Sequence, residues 1–239
     1  MKRFYTAAAV TTVARLAPGL AAAQSFNYAA VQGGWTQVRD THFDIADPQD
    51  RADHDARVDQ NYGNGYNFAA AFGRQYDQGR DFNTRAEVEL GYQEGNVDRH
   101  RLRVTDNSGV VPQQVENTRF DRSGGHTEIV TLFASVYGER ALRNIDNMNF
   151  IFGAGAGVGH VYFNGYSADG SVLLHDSDVS YAFHLTTGWS YELTDRIALE
   201  ATYRYMSIED LSFKAGDGTS TSDQRVDSHS FQAGVRYGF

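Results

Sequence analysis

The sequence contains no cysteine and only three prolines among its 239 residues. Without cysteine there is no disulfide framework and no thiol to carry a lipid, so stability must come from noncovalent packing. Pro18 lies near the N-terminus, while Pro48 and Pro112 lie in polar segments. Because proline removes a hydrogen bond from a β-ladder, its scarcity leaves long stretches of the chain free to form strands.

Basic residues are also scarce, with 21 Lys and Arg against 30 Asp and Glu. The first 23 residues, MKRFYTAAAVTTVARLAPGLAAA, place two basic residues before an alanine-rich apolar run. This pattern predicts a signal peptide over 1–23, although Arg15 interrupts it; an amphipathic helix is the alternative interpretation. Its removal leaves 18 basic and 30 acidic residues, a net charge of −12, in one domain over 24–239. So acidic a chain is not expected to bind nucleic acid.

Long hydrophobic runs are missing as well, since no stretch after residue 23 approaches the roughly 20 apolar residues of a membrane helix. What recurs is period-two alternation, which is typical of a strand with one apolar face. Eight segments show it: 29–37, 66–72, 85–92, 128–136, 148–158, 179–191, 196–205 and 230–239.

The connections between these segments alternate in length. Those at 75–81, 139–147 and 193–195 are short, whereas those at 38–61, 104–124, 164–178 and 207–226 are long and polar. This layout predicts an all-β fold: a closed, eight-stranded, antiparallel transmembrane barrel, an up-and-down meander with short periplasmic turns and long extracellular loops. We expect the last strand to pair with the first, because an open sheet edge is untenable in lipid.

Charged residues stand opposite the apolar rows. We predict that they face the barrel interior and pair with one another there as a lumen charge network: Arg85, Glu87, Glu89, Glu200, Arg204 and Arg236. A soluble eight-stranded barrel is the alternative, but its small dry interior would not hold these charges. Aromatic residues near the predicted strand ends indicate interfacial girdles: Trp35, Tyr92, Trp189, Tyr203 and Phe239.

The final segment, QAGVRYGF, resembles the terminal signature of outer-membrane barrels. The matching residues are Gln232, Gly234, Tyr237 and Phe239. With the eight strands and AAVQGGWTQ near the start, the chain resembles the eight-stranded outer-membrane β-barrel family that includes the OmpA membrane domain and the opacity-type surface proteins. The resemblance implies insertion by the barrel assembly machinery, which would read these four residues, and members that serve as anchors, adhesins, weak pores or occasionally enzymes.

Two motifs suggest chemistry at first sight. The run GAGAGVG at 153–159 lacks the G-x-G-x-x-G spacing and a following helix, so we interpret it as inward glycines that leave room for bulky neighbours. The segment DSHSF invites comparison with lipid A deacylases, but His229 and Ser230 are adjacent and would point to opposite faces. We expect His184 to form hydrogen bonds in the lumen rather than act as a base.

The first long connection is rich in aspartate, at positions 40, 44, 47, 50, 53, 55 and 59. Such a loop could hold divalent cations or bridge lipopolysaccharide, but it matches no EF-hand and three arginines partly neutralise it. A solvated surface loop is favoured. We therefore predict no metal site and no cofactor.

These patterns predict a non-enzymatic protein of the outer membrane of a Gram-negative bacterium that displays four extracellular loops, and the resemblance implies that it acts as an anchor or adhesin-like protein. A narrow pore for small solutes or ions is the first alternative, and a lipid A-modifying enzyme is the second. The expected partners are outer-membrane lipid and lipopolysaccharide, the assembly machinery and an extracellular ligand of the loops. A monomer is expected.

Overall fold

Eleven strands make up the regular structure of this computed structural model, which describes residues 25–39, 41–45, 54–78, 81–106, 113–120, 123–143, 145–168, 171–214 and 220–239. The signal peptide predicted over 1–23, Pro48 and Pro112 lie outside the described residues. The strands are β1 (Ser25–Val38), β2 (Thr41–Ile45), β3 (His54–Tyr62), β4 (Asn64–Asp77), β5 (Phe82–Asp106), β6 (Gln113–Phe120), β7 (Ser123–Ala141), β8 (Met148–Ala168), β9 (Ser171–Glu192), β10 (Ile197–Lys214) and β11 (Ser220–Gly238). Within these ranges no helix is long and apolar enough to cross a membrane.

Eight of the strands close into one antiparallel barrel. Going round the ring, β1 pairs with β4, followed by β5, β7, β8, β9, β10 and β11. The ring closes where β11 pairs with β1, in a register that sets Tyr28 opposite Gly238 and Val38 opposite Ser228. The predicted eight-stranded meander, with its last strand paired to its first, is confirmed.

The two ends of the barrel differ in their connections. At the short-turn end, residues 78–81, 142–147 and 193–196 link β4 to β5, β7 to β8 and β9 to β10. These turns fall within the short connections predicted from the sequence or within two residues of them. Asn147 has a positive φ of 62° in the second turn, a conformation that asparagine tolerates better than most residues.

The opposite, long-hairpin end differs from the prediction. The connections predicted at 164–178 and 207–226 are mostly strand, because β8 and β9 stay paired as far as Ala168 and Ser171, and β10 and β11 as far as Lys214 and Ser220. Paired backbone satisfies its own hydrogen bonds, so polar sequence can continue as a two-stranded ribbon beyond the barrel wall. The predicted extent of these two loops was wrong.

A second small sheet grows from the same end. β5 pairs with its barrel neighbours as far as Glu94 and Asn96, then runs on to Asp106. Beyond the barrel it pairs with β3, from Val97 onward, and with β6, while β2 pairs with the far side of β3. The predicted loops 38–61 and 104–124 thus contain β2, β3 and β6, because the exposed edges of the extended β5 recruit partner strands.

Candidate functional site: the barrel interior and exterior

The interior near the short-turn end holds a ring of four charged groups. Arg85 Nη1 lies 2.6 Å from Glu200 Oε1 and 3.2 Å from Glu139 Oε1. Arg236 closes the ring, with Nε 2.8 Å from the same Glu200 oxygen and Nη2 3.2 Å from Glu139 Oε1. Each arginine is shared by two carboxylates and each carboxylate by two arginines. We call these four residues the charge ring; they come from β5, β7, β10 and β11.

A second ion pair lies further along the interior. Arg204 donates two hydrogen bonds to Glu89, of 2.5 Å from Nη1 and 2.8 Å from Nη2. The glutamate is fully buried, and it also accepts a hydrogen bond of 2.6 Å from Gln32. This two-point geometry matches a planar guanidinium to a carboxylate and is the strong form of such a pair.

Aromatic and amide groups complete the polar interior. The hydroxyl of Tyr28 donates to Glu87 at 2.6 Å, and among the described residues no ion pair involves this carboxylate. The guanidinium of Arg85 stands over the ring of Tyr137, with its carbon 4.5 Å from the ring centre. A guanidinium in this position is stabilised by the electron-rich face of the ring. Arg236 also donates to the side chain of Gln75.

All six residues of the predicted lumen network lie in the interior, and five of them form ion pairs among the described residues, all except Glu87. Glu200 contacts Arg85 and Arg236, whereas Arg204, four positions along the same strand, contacts Glu89. Residues four apart on a strand are separated by about 13 Å, which is too far for an ion pair, so Glu200 and Arg204 each pair with residues on other strands.

Sequence reasoning missed Glu139, which is buried within the charge ring. The alternation of the 128–136 segment points odd-numbered residues inward, and Glu139 continues that phase. The sequence pattern places Glu139 in the short connection 139–147, whereas β7 runs to Ala141.

The long-hairpin half of the interior contains an apolar layer, which the sequence did not indicate. The buried side chains of this layer are Val38, Ile129, Phe133, Val161, Ala182, Met206, Ile208, Leu211 and Val226. Val161 lies outside the predicted strands, and three others lie in the segment predicted as the fourth loop. Buried polar groups adjoin the layer, as in the hydrogen bond of 3.2 Å from Ser228 to Gln93. Charged pairs therefore fill the interior near the short turns, and mainly apolar side chains fill it near the long hairpins.

His184 lies fully buried between these two zones. Its Nε2 is 2.9 Å from the hydroxyl of Ser135, its Nδ1 is 3.1 Å from that of Thr186, and the ring of Phe133 packs edge-on at 4.8 Å. A serine hydrolase needs a nucleophile that substrate can reach and a group that orients the histidine. Here the orienting partner is a hydroxyl and the pair is enclosed, which fits a hydrogen-bonding role.

The other histidine motif is divided between two faces. His229 lies on the outside, where its Nδ1 is 2.6 Å from the hydroxyl of Tyr203. Ser230 is buried inside, 2.9 Å from the hydroxyl of Thr36. A nucleophile and base on opposite faces of a barrel wall cannot act together.

The glycine run on β8 lies against bulky interior side chains. A Cβ added at Gly153 would meet the ring of Tyr137, and one at Gly155 would meet His184 and Ser135. These glycines therefore let large neighbours fill a narrow interior.

The exterior carries the apolar rows. Side chains more than half exposed include Val31, Phe68, Phe72, Val88, Leu90, Val179, Tyr181, Leu185, Phe231 and Phe239. Aromatic rings cluster toward both ends of this surface. Trp35 stacks on Phe231 near the long hairpins, and Phe72 lies 6.1 Å from Phe239 near the short turns. We call this surface the apolar belt.

The four residues of the predicted assembly signal occupy two faces of β11. Gln232 is buried and donates to Asn67 at 2.7 Å, and Gly234 shares its inward face. Tyr237 and Phe239 lie on the outside with their rings 6.3 Å apart. Recognition of these residues by an assembly machinery stays a prediction.

The residues that the structure describes include no group of three or more His, Cys, Asp or Glu side chains placed to hold a metal ion. Asp40, Asp47, Asp50 and Asp53 of the acidic first connection lie outside the described residues. The others, Asp44, Asp55 and Asp59, lie on β2 and β3.

No protein-family model matches the chain, and no curated protein matches it. Among solved structures it is similar to Neisserial surface protein A, at 16% identity over 90% of this chain and 99% of that one, with a TM-score of 0.46. It is also similar to OprG from Pseudomonas aeruginosa, at 14% identity over 91% of this chain and 98% of that one, with a TM-score of 0.44. The outer membrane protease OmpT from Escherichia coli matches at 8% identity over 91% of this chain and 98% of that one, with a TM-score of 0.46. At these scores the likeness carries no argument, and the fold rests on the strand pairing described above.

Proposed function

We propose that this protein is an outer-membrane barrel of a Gram-negative bacterium that anchors and displays its long-hairpin end outside the cell. The observation that carries the proposal is the polarity of the wall, with apolar side chains exposed outside and ion pairs buried inside. In water this arrangement would expose the belt and bury charges. In a bilayer both faces are matched to their surroundings.

The dimensions of the apolar belt support a membrane span. On β11 the exposed row runs from Phe231 to Phe239, eight residue steps or about 27 Å along the strand. A strand tilt of about 40° reduces this to roughly 21 Å along the barrel axis. That height is close to the apolar band of about 25 Å seen in outer-membrane barrels.

The filled interior favours an anchor over a pore. A solute entering from the long-hairpin end would meet the apolar layer, and then the bidentate pair of Arg204 and Glu89. Beyond that it would have to part the charge ring, whose arginines are each held by two carboxylates. An eight-stranded barrel is only wide enough for its own side chains, which matches this packing.

The long-hairpin end supports the display role. The paired ribbons β8–β9 and β10–β11, together with the sheet of β2, β3, β6 and the extension of β5, project a folded surface beyond the belt. The same barrel fold can carry different functions, because binding depends on the segments that project from the barrel and not on the barrel itself. The extracellular ligand is therefore sought at this end.

The test has two parts. In outer membranes, protease added to intact cells should cleave only at the long-hairpin end, and the unheated protein should migrate differently from the heated protein in sodium dodecyl sulfate gels. In planar bilayers, the purified protein should show no discrete openings. Recovery as a soluble periplasmic protein would overturn the membrane assignment, and regular single-channel openings would favour the pore.

A further inference from the structure

An aspartate on the outside of the barrel is buried at the edge of the apolar belt nearest the long hairpins. Asp227 lies on β11 and is only 5% exposed. Its Oδ1 accepts hydrogen bonds from the hydroxyls of Ser207 at 2.7 Å and Tyr205 at 3.0 Å. Its Oδ2 lies 3.6 Å from Nη1 of Arg39 and 3.3 Å from Nε of Arg225. One carboxylate thus holds two arginines.

The two arginine side chains are held in place, yet much of each guanidinium remains accessible to solvent. Their side chains remain 60% and 55% exposed, and both contact the same oxygen, so the contacting nitrogens are at most about 7 Å apart. The backbone N–H of Arg39 donates to the carbonyl of Asp227 at 2.9 Å, which fixes where this side chain starts. Each guanidinium has five N–H donors, so most donors of the pair face solvent.

The charge around this pair is not uniformly basic. The hydroxyl oxygen of Ser207 also lies 2.8 Å from Oε1 of Glu209, which places a second carboxylate on the Oδ1 side of Asp227. Among the described side chains, the two arginines are therefore balanced by two acids. An anion approaching the Oδ2 side meets the arginines first, and Glu209 weakens the attraction from behind.

Below this cluster the side chains become steadily less polar. The ring of His229 lies 5.4 Å from that of Tyr205, and Phe231 lies 5.2 Å from Tyr203 and 6.0 Å from Trp35. Along β11 the outward positions thus pass from Phe231 through His229 to the arginine cluster. This surface therefore complements a lipid molecule: hydrocarbon side chains match its acyl chains, amphipathic rings match its interfacial region and the cations match an anionic headgroup.

The neighbouring part of the rim is different, beginning at Tyr66, which stands opposite Trp35 in the register of β1 and β4. On β4 and β5 the hydroxyls of Tyr66 and Tyr92 donate to Glu94, at 2.5 and 3.1 Å. Glu128 stands opposite Glu94 in the register, and no arginine pairs with Glu94 among the described side chains. The same aromatic-to-carboxylate step is present there, and among the described side chains the two arginines that share a carboxylate lie next to the end of β1 and on β11.

We propose that Arg39 and Arg225 bind the phosphate of a membrane lipid headgroup, with the acyl chains of that lipid lying along Trp35, Phe231 and Tyr203. The inference rests on the proposed membrane location. Two preset guanidinium groups suit the oxygens of a phosphate monoester, and the adjacent rings suit its hydrocarbon. Asp227 serves to hold the arginines in place before the lipid arrives.

Fluorescence quenching in vesicles tests the site directly, since the chain has only two tryptophans and one of them adjoins it. The Trp189→Phe background leaves Trp35 as the reporter. The full chain is inserted in phosphatidylcholine vesicles that contain a small fraction of phosphatidic acid with brominated acyl chains. We expect this lipid to quench Trp35 about tenfold more effectively per molecule than brominated phosphatidylcholine does.

Variants separate the binding site from general attraction. Arg39→Gln with Arg225→Gln should abolish the preference, Arg39→Lys with Arg225→Lys should retain part of it, and Glu209→Gln should increase it. Arg143→Gln is the matched control, because Arg143 is an exposed arginine paired with Asp81 at the short-turn end. Heat-dependent gel migration confirms that each variant is folded.

The outcomes distinguish the two levels of inference. Failure to insert in vesicles would overturn the proposed function itself. Insertion with equal quenching by both lipids, or a preference that survives in Arg39→Gln with Arg225→Gln, would overturn only the lipid site. Added inorganic phosphate should displace the preference only weakly, because it lacks acyl chains; complete displacement at millimolar phosphate would show a site for the free anion and overturn the lipid assignment.

Discussion

Arg204 and Glu89, 115 residues apart in the chain, meet in the barrel interior through two N–H···O contacts of 2.5 and 2.8 Å. Glu89 lies on β5 and Arg204 lies on β10, so the ion pair joins two strands that are not neighbours in the ring. An ion pair of this kind contributes little net stability by itself, but either partner left alone is costly.

The first prediction follows from that asymmetry. Glu89→Ala or Arg204→Ala should each lower the free energy of unfolding by about 3 to 5 kcal/mol, and the double variant should recover a large part of the loss. Equilibrium denaturation in lipid or detergent measures the cycle. The Glu200 and Arg204 pair supplies the control, because these residues do not contact each other, and its double variant should be additive. Additivity at Glu89 and Arg204 would refute the pairing.

The second prediction concerns closure by two layers. Opening the apolar layer with Phe133→Ala, or removing half of the charge ring with Arg85→Ala and Glu139→Ala, should leave the barrel non-conducting, because the other layer still fills the interior. Combining the three substitutions with Glu89→Ala and Arg204→Ala, which remove the remaining ion pair between the two layers, should produce ion conductance in planar bilayers. Conductance from the Phe133→Ala protein alone would show that the charged groups do not close the interior.

The third prediction tests the interior glycines. Gly155→Ala places a methyl group against His184 and Ser135, and we expect a loss of about 1 to 3 kcal/mol in the free energy of unfolding. Ala156→Val on the next, outward-facing position is the control and should be nearly neutral. Equal effects at the two positions would contradict the assignment of Gly155 to the inner face and Ala156 to the outer face of the barrel.

The fourth prediction concerns the terminal aromatic residue. Phe239 is 59% exposed, so Phe239→Ala should change the stability of the folded protein little, while lowering the amount assembled in cells. Phe72→Ala is the matched control, since its ring is 58% exposed and adjoins that of Phe239. Normal surface levels of the Phe239→Ala protein, measured by labelling intact cells, would show that this residue is not read as a signal.

Much of the architecture follows from alternation alone. A period of two assigns each residue to a face, and this is why the outward Phe231 and the inward Arg236 were placed correctly from the sequence. Strand number and the direction of the turns follow from the same pattern together with the spacing of polar segments.

The partners inside the barrel could not be predicted in the same way. The contact of Glu200 with Arg85, on a strand that is not its neighbour in the ring, depends on the stagger between strands, which alternation does not encode. The apolar layer was missed partly because the register of β10 shifts between Ile208 and Leu211. Asp210, with a positive φ of 55°, lies in that shift, so the two apolar residues face inward although their spacing of three contradicts alternation.

The seam between β1 and β11 has a kinetic consequence. It pairs Tyr28 with Gly238, about 210 residues apart, so this ladder cannot form until nearly the whole chain is available. Until then both seam strands present unpaired edges that can join other chains. Once the ladder is made, no edge of the ring remains from which unfolding can begin, and we expect slow closure followed by very slow opening.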